Sequence, residues 1–239
     1  MAKNKSNHLN TVIIVVVVAA AIFGYRTWDK KIKDQLIPRR FAAIVDGKIY
    51  RSGCLHERLI EKTLKEHNIQ VIVSLMGKYE TEEAAAENLG IELNQYRLDG
   101  DGRGDITVYA NALEDVVRAE QNDKPVLIHC VSGTMRSGAF TAFYRMLFQG
   151  QTDSKKLIAE MRKYNWKTDQ TYLPEYMNRN MYKLCSMLVE RGVLDKIPDP
   201  LPQIQFKGVE TYTLDQLKKL DKADGEGITA ETEQPLAAD

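Results

Sequence analysis

The sequence predicts an α/β fold: a central, mostly parallel sheet flanked by helices, with a transmembrane helix at the N-terminus. Three observations carry this. Apolar runs of strand length alternate with segments of helical apolar spacing, the pattern of sheets covered by helices. One run, Pro125-Val126-Leu127-Ile128, passes through a tight loop directly into a helix-like segment, Ser137 to Phe148. Near the start, Leu9 to Tyr25 is a 17-residue apolar stretch, about 25 Å long as a helix and near the lower limit for crossing a bilayer.

The chain divides at composition shifts into residues 1–28 (membrane anchor), 29–40 (basic linker), 41–193 (folded domain) and 194–239 (Pro-containing, acidic tail expected to be disordered). Tyr25 and Trp28 stand where an interfacial aromatic belt would lie. Arg26, Lys30, Lys31, Lys33, Arg39 and Arg40 follow the apolar run, while only Lys3 and Lys5 precede it. The positive-inside rule then puts the folded domain in the cytoplasm behind a single-pass anchor. A cleaved signal peptide, with Ala19-x-Ala21 as its cleavage site, is the competing reading and would export the domain. A buried helix or strand is the third.

Charge sums to zero, with eight Lys/Arg against two Asp/Glu over residues 1–40 and five against ten over 194–239. The folded domain is nearly balanced, so no broad basic surface for nucleic acid is implied. Three cysteines, Cys54, Cys130 and Cys185, are too few and odd in number for a disulfide framework.

Within the domain, Phe41–Val45 and Lys48–Ser52 flank Asp46-Gly47, a hairpin signal. His56 to His67 has helical spacing, and Ile69 to Leu75 reads as a buried strand. Glu80 to Leu89 is an acidic, alanine-rich helix ended by Gly90 as a C-terminal cap. Its Glu80, Glu82, Glu83 and Glu87 are expected on a solvated face rather than around a metal. Ile91 to Leu98 is the next strand, delivering the chain into Asp99-Gly100-Asp101-Gly102-Arg103-Gly104-Asp105. Three glycines in seven residues make this a loop of unusual backbone angles. Its aspartates lack the twelfth-position glutamate of a calcium loop, and Asp105 is placed to cap the helix Ile106 to Ala119. Helices at Gly138–Phe148, Ser154–Tyr164 and Leu173–Arg191 follow. Cys185 falls on the apolar stripe of the last, as a core thiol.

The chemistry concentrates in His129-Cys130-Val131-Ser132-Gly133-Thr134-Met135-Arg136-Ser137. A loop between a strand and a helix start turns backbone N–H groups inward, so residues Val131, Ser132, Gly133, Thr134, Met135 and Arg136 form a cradle for an anion. The same field favours a thiolate at Cys130 over the free thiol with its pKa of about 8.5. Arg136 is spaced to place a two-pronged guanidinium on phosphate oxygens, and Ser137 to donate to the sulfur. His129 has no Cys or His partner at metal-ligand spacing, and is expected as a buried residue bonding the loop backbone.

This His-Cys-x5-Arg-Ser string resembles the signature of the protein tyrosine phosphatase superfamily, and the surrounding chain is most similar to the dual-specificity branch. Ile49-Tyr50-Arg51-Ser52-Gly53 resembles a segment near the start of bacterial-type members. Arg51 is expected in a structural salt bridge, with contact to the loop from below as the alternative. The resemblance covers about residues 40–192 and implies a cysteine-dependent phosphatase fold that needs no metal or organic cofactor. Cys130 would be the nucleophile. In the family, an acid aspartate lies on a flexible loop about 30 residues upstream; Asp99 and Asp101 both fit, and Asp101, at the loop's tip, is preferred. The substrate implied is a phosphoprotein, at Tyr or Ser/Thr. A phosphoinositide or other small phosphomonoester is the alternative, weakened by the lack of lysines in the loop. A silent phosphate-binding module and a rhodanese-like sulfur-transfer enzyme are the rivals.

Overall fold

The structure, a computed structural model, describes residues 14–25, 28 and 33–231. After α1 (residues 14–25) and a single turn, α2 (Lys33–Leu36), five strands and seven helices follow. They are β1 (Ala42–Val45), β2 (Ile49–Gly53), α3 (Glu57–Glu66), β3 (Val71–Ser74), α4 (Glu80–Leu89), β4 (Glu92–Gln95), α5 (Ile106–Gln121), β5 (Val126–Cys130), α6 (Met135–Phe148), α7 (Ser154–Lys163), α8 (Tyr172–Glu190) and α9 (Leu214–Glu231). The sheet order is β1-β2-β5-β3-β4; only β1 is antiparallel. The α/β class with a mostly parallel sheet is therefore correct.

Strand β5 lies at the centre, and its side chains alternate between two cores. Val126, Ile128 and Cys130 join the core under α5, α6 and α8, while Leu127 joins the one under α3 and α4. Each parallel neighbour supplies the same alternation, so His129 and Cys130 must leave the strand on opposite faces. That parity decides what each of them meets.

Several expectations change. Among the described residues no helix is long and apolar enough to cross a membrane, which overturns the single-pass anchor and the localisation built on it. The described part of α1 is twelve residues, where about 20 are needed. Residues 9–13 of the expected span, and Arg26, Lys30 and Lys31 of its flank, lie outside the described residues.

The linker is not free of the domain. Arg39 O accepts from Gly53 N at 2.7 Å, and Arg40 Nη1 donates to Ser132 O at 2.6 Å. The start of the tail is also packed: Ile204 is fully buried, and the Asn178 amide bridges Ile204 N, Ile204 O and Glu210 O across 2.8–2.9 Å. One buried side chain from α8 thus satisfies three backbone groups that a proline-rich segment cannot pair for itself. Leu217 on α9 is buried as well. Residues 232–239 of the tail lie outside the described residues.

Candidate active site

The loop after β5 folds back on the end of β2. Gly133 has φ +70, and a Cβ there would lie 2.6 Å from Gly53 N and 2.8 Å from the Ser52 carbonyl carbon. Any side chain at Gly133 would push the two backbones apart, so glycine is required twice over, by conformation and by space. Gly53 is equally confined: a Cβ on it would lie only 3.0 Å from the Ser132 carbonyl carbon.

The Cys130 sulfur lies inside this loop. Gly133 N donates to it at 3.3 Å, and hydrogen bonding from Ser137, whose hydroxyl also donates to Ser52 O at 3.3 Å, favours its charged form. Burial alone would push this thiol up. Those bonds and the nearby Arg136 guanidinium outweigh burial, and the Cys130 pKa is lowered. In the other two cysteines burial wins: it is the largest cause at Cys54, pushed up to about 11, and the cause at Cys185, pushed up to about 12. Of the three sulfurs, Cys130 is the one held toward its thiolate.

Helix α6 starts at Met135, two residues earlier than the sequence predicts, so Arg136 belongs to its first turn. Its Nη1 donates to Leu75 O at 2.9 Å and Leu98 O at 3.3 Å, carbonyls just beyond β3 and β4. The guanidinium is thus fixed by two backbone carbonyls rather than, among the described residues, by a carboxylate, and its charge acts on the Cys130 sulfur. Val131 is half-exposed at the rim, while Gly133 and Met135 are buried and Thr134 is the residue preceding the helix.

Two arginines hold the loop from outside. Arg51, 1% exposed, donates from Nη2 to Gly133 O at 2.6 Å and from Nη1 to Thr141 Oγ1 at 3.1 Å, and its guanidinium carbon lies 4.1 Å from the centre of the Tyr164 ring. Burial brings its pKa down to about 10. None of the ion pairs among the described residues involves Arg51, so the expected salt bridge is corrected to contact with the loop from below. Arg40 holds Ser132 O in the same manner.

His129 meets a partner that the charge pattern hid. Its Nε2 lies 2.7 Å from Glu82 Oε1 on α4, and both side chains are buried, at 1% and 3% exposure. The contact is close but poorly aligned as a hydrogen bond, so charge attraction dominates it. Burial lowers the His129 pKa; the Glu82 carboxylate and Cys130 together outweigh it, and the net shift is upward. The solvated face expected for Glu82 is therefore wrong. The signal was present in the spacing: Glu82, Ala85, Ala86 and Leu89 share one helix stripe, and Ala85 and Ala86 are buried.

The aspartate loop lies over the start of α6. Gly102 is buried, and a Cβ on it would come within 3.3 Å of the Met135 carbonyl carbon and 3.4 Å of Arg136 N. Tyr109 on α5 donates to Gly102 O at 2.7 Å, pinning the loop from inside. Asp101, next to this contact, accepts from Arg103 N at 3.0 Å and Arg103 Nε at 2.8 Å. Asp99 is exposed, and its carboxylate lies toward Gly104. Asp105 caps α5 by accepting from Thr107 N at 2.9 Å. Among the described residues no group of three His, Cys, Asp or Glu is placed to hold a metal.

Residues 35–186 match the model of the tyrosine phosphatase family. Among solved structures, the core catalytic domain of the PP-IP phosphatase Siw14 from S. cerevisiae is 22% identical with a TM-score of 0.53, covering 66% of this chain and 96% of that one. TpbA of P. aeruginosa is 23% identical with a TM-score of 0.46, over 54% and 79%. PTPMT1 bound to PI(5)P is 15% identical with a TM-score of 0.47, over 56% and 90%. At 22% identity the likeness to Siw14 is one of fold. No curated protein matches.

Proposed function

This chain belongs to the tyrosine phosphatase family, and from that premise we propose that it hydrolyses phosphate monoesters through a phosphocysteine intermediate. The observation that carries the proposal is the setting of Cys130: a buried sulfur inside the loop, held toward its thiolate by Gly133, Ser137 and Arg136, with the Gly133 N–H turned onto it.

Cys130 Sγ would attack phosphorus in line. The S–P bond forms as the ester P–O bond breaks, and Asp101 hands its proton to the leaving oxygen. Water then attacks phosphorus, Asp101 takes a proton from it, and the S–P bond breaks to release inorganic phosphate and the thiolate. The N–H groups of residues 131–136 and the Arg136 guanidinium hold the three equatorial oxygens as charge shifts between them. Ser137 supports the sulfur when it leaves. Asp101 rather than Asp99 is assigned the acid role because its neighbour Gly102 packs against the start of α6 at Met135 and Arg136. In the resting state Asp101 is paired with Arg103, so the pair must open before the acid can act.

The test is turnover of phenyl phosphate by the full chain and by Cys130→Ser. The wild type should release phosphate and the variant should not, while retaining phosphate binding. Undiminished turnover by Cys130→Ser would remove the mechanism.

A further inference from the structure

We propose that the pocket between the aspartate loop, the start of α8 and the tail receives a lysine or arginine side chain that stands a few residues from the phosphorylated residue of a peptide. This rests on the phosphatase reading for the reaction, and it deepens that reading by naming the substrate class: a phosphoprotein segment with a basic flank.

The pocket has a volume of about 380 Å³. Three tyrosine rings line it, Tyr172 and Tyr176 from α8 and Tyr212 from the tail, together with the Glu175 and Glu210 carboxylates. Arg103 and Arg179 complete the lining, but Arg103 is already held by Asp101, and Arg179 has a partner as well. Counting Asp101, three carboxylates meet two guanidiniums, so the walls carry an excess of negative charge. Both half-buried phenols feel it. After burial, Asp105 and Asp101 raise the Tyr176 pKa, and Glu210 and Glu175 raise that of Tyr212 against Arg179. The rings add a second attraction for a cation, because the face of a tyrosine is the negative side of its quadrupole. Tyr172 already shows this, with the Arg103 guanidinium carbon 5.0 Å from its ring centre. A flexible basic side chain, apolar along its stem and charged at its tip, matches rings and carboxylates together.

The far wall is held in place by hydrogen bonds. Asn178 Nδ2 donates to Glu210 O at 2.8 Å, while Gln203 donates to Tyr212 O and accepts from Tyr212 N, each at 2.7 Å. Side-chain amides thus fix the backbone of both tail residues, and the Tyr212 hydroxyl donates to Glu210 Oε2 at 2.9 Å. The near wall is the aspartate loop itself: Tyr176 donates to Gly104 O at 2.9 Å, and Leu173 lies against Gly102. Asp101 and Arg103 are two positions apart, so the pocket opens on the order of 10 Å from the point where the leaving oxygen takes its proton. An extended peptide covers that distance in about three residues. The family match ends at residue 186, so Glu210 and Tyr212 add a selectivity of this chain's own to the shared reaction.

The experiment measures kcat/KM of the full chain for a set of phosphotyrosine peptides, identical except for lysine, alanine or glutamate at the second and third positions on either side of the phosphotyrosine, with phenyl phosphate and glucose 6-phosphate alongside. The wild type should prefer the lysine peptide over the alanine peptide by about tenfold, the scale of one charge-assisted contact. That preference should lie in KM, because the contact is made equally in the ground and transition states, and added salt should erode it. Glu175→Gln/Glu210→Gln should lose most of it with phenyl phosphate turnover unchanged. Tyr212→Ala, which keeps the backbone bonds to Gln203, should weaken it as well. Equal kcat/KM for the lysine and alanine peptides, a preference for the glutamate peptide, a preference undiminished in the double variant, or glucose 6-phosphate turned over better than the lysine peptide overturns the site and leaves the phosphatase reading standing. If phenyl phosphate is not turned over at all, that reading has failed on its own. Calorimetric titration of the same proteins with the lysine and alanine peptides then decides the pocket: tighter binding of the lysine peptide, lost in the double variant, supports it, and equal binding overturns it.

Discussion

Two carboxylate and cation pairs flank the cysteine loop, and they differ in nearly everything but chemistry. Glu82 and His129 meet at 2.7 Å with side chains 3% and 1% exposed. Asp101 and Arg103 meet at 2.7 Å with side chains 31% and 51% exposed. In the buried pair each partner is costly to leave alone, because water cannot replace it. In the exposed pair water stands ready, so the contact is weak and easily exchanged. The first suits a fixed setting of charge next to the sulfur, and the second suits a carboxyl group that must change protonation and partner during turnover. Burial, rather than residue type, separates a structural ion pair from a working one.

The largest expected effect separates the two sides by activity. Asp101→Asn should lower kcat/KM for alkyl phosphates by roughly 10²–10⁴, the usual worth of a positioned acid. It should cost little for aryl esters whose leaving groups need no proton, and leave thermal stability near that of the wild type. An equal loss for both ester types would shift the acid role away from Asp101, with Asp99→Asn as the next variant to measure.

Glu82→Ala should do the reverse. Removing one partner of a buried pair costs about 3–5 kcal/mol, read as a lower midpoint in urea unfolding. The His129 pKa is raised in the folded protein, so the pair's stabilisation is fully present below the unfolded value of about 6.5 and is lost as pH rises through the folded value. The stability gap between wild type and Glu82→Gln should therefore be widest in mild acid and narrow as pH rises. A gap that is flat with pH would mean His129 stays neutral.

The same pair reaches the sulfur through the chain. A protonated His129 beside Cys130 would favour the thiolate, and Glu82 shifts His129 toward that form. Glu82→Gln should move the pH midpoint of Cys130 alkylation by iodoacetate upward, an effect that a purely structural role would not produce. Cys54, already pushed up to about 11, should stay unreactive across the titration and serves as the internal control.

The same contrast explains what the sequence discloses. The strands, most of the helices and the cysteine loop are legible because short-range physics decides them: apolar period, the Asp46-Gly47 turn, and the caps at Gly90 and Asp105. Glu82 is hidden because a run of glutamates looks solvated until a strand's parity sends His129 toward one of them. Arg51 suggests an ion pair because nothing local reveals that its partner is the Gly133 carbonyl, 82 positions away. Arg39 and Arg40 look like linker for the same reason. The tail at Ile204 looks disordered because its backbone partner is Asn178, on another element.

The smallest effect expected is the most informative about the exposed pair. Slight burial pushes the Asp101 carboxyl up, but hydrogen bonds and charge from Arg103 outweigh it, and the net pKa is lowered. A lowered acid is nearly all ionised at neutral pH, whereas protonation of a leaving oxygen requires the acid form. Arg103 therefore opposes the first chemical step as long as the pair stays closed. Arg103→Ala should raise the Asp101 pKa, move the alkaline limb of the kcat/KM profile upward for alkyl phosphates, and give a modest gain in rate at pH 7. In the Asp101→Asn background the same change should do nothing. Arg103 also lies over the Tyr172 ring, its guanidinium carbon 5.0 Å from the ring centre. A fall in kcat/KM that persists in the Asp101→Asn background would mean that this contact, rather than the Asp101 carboxylate, is what Arg103 is for: holding the loop closed over α6.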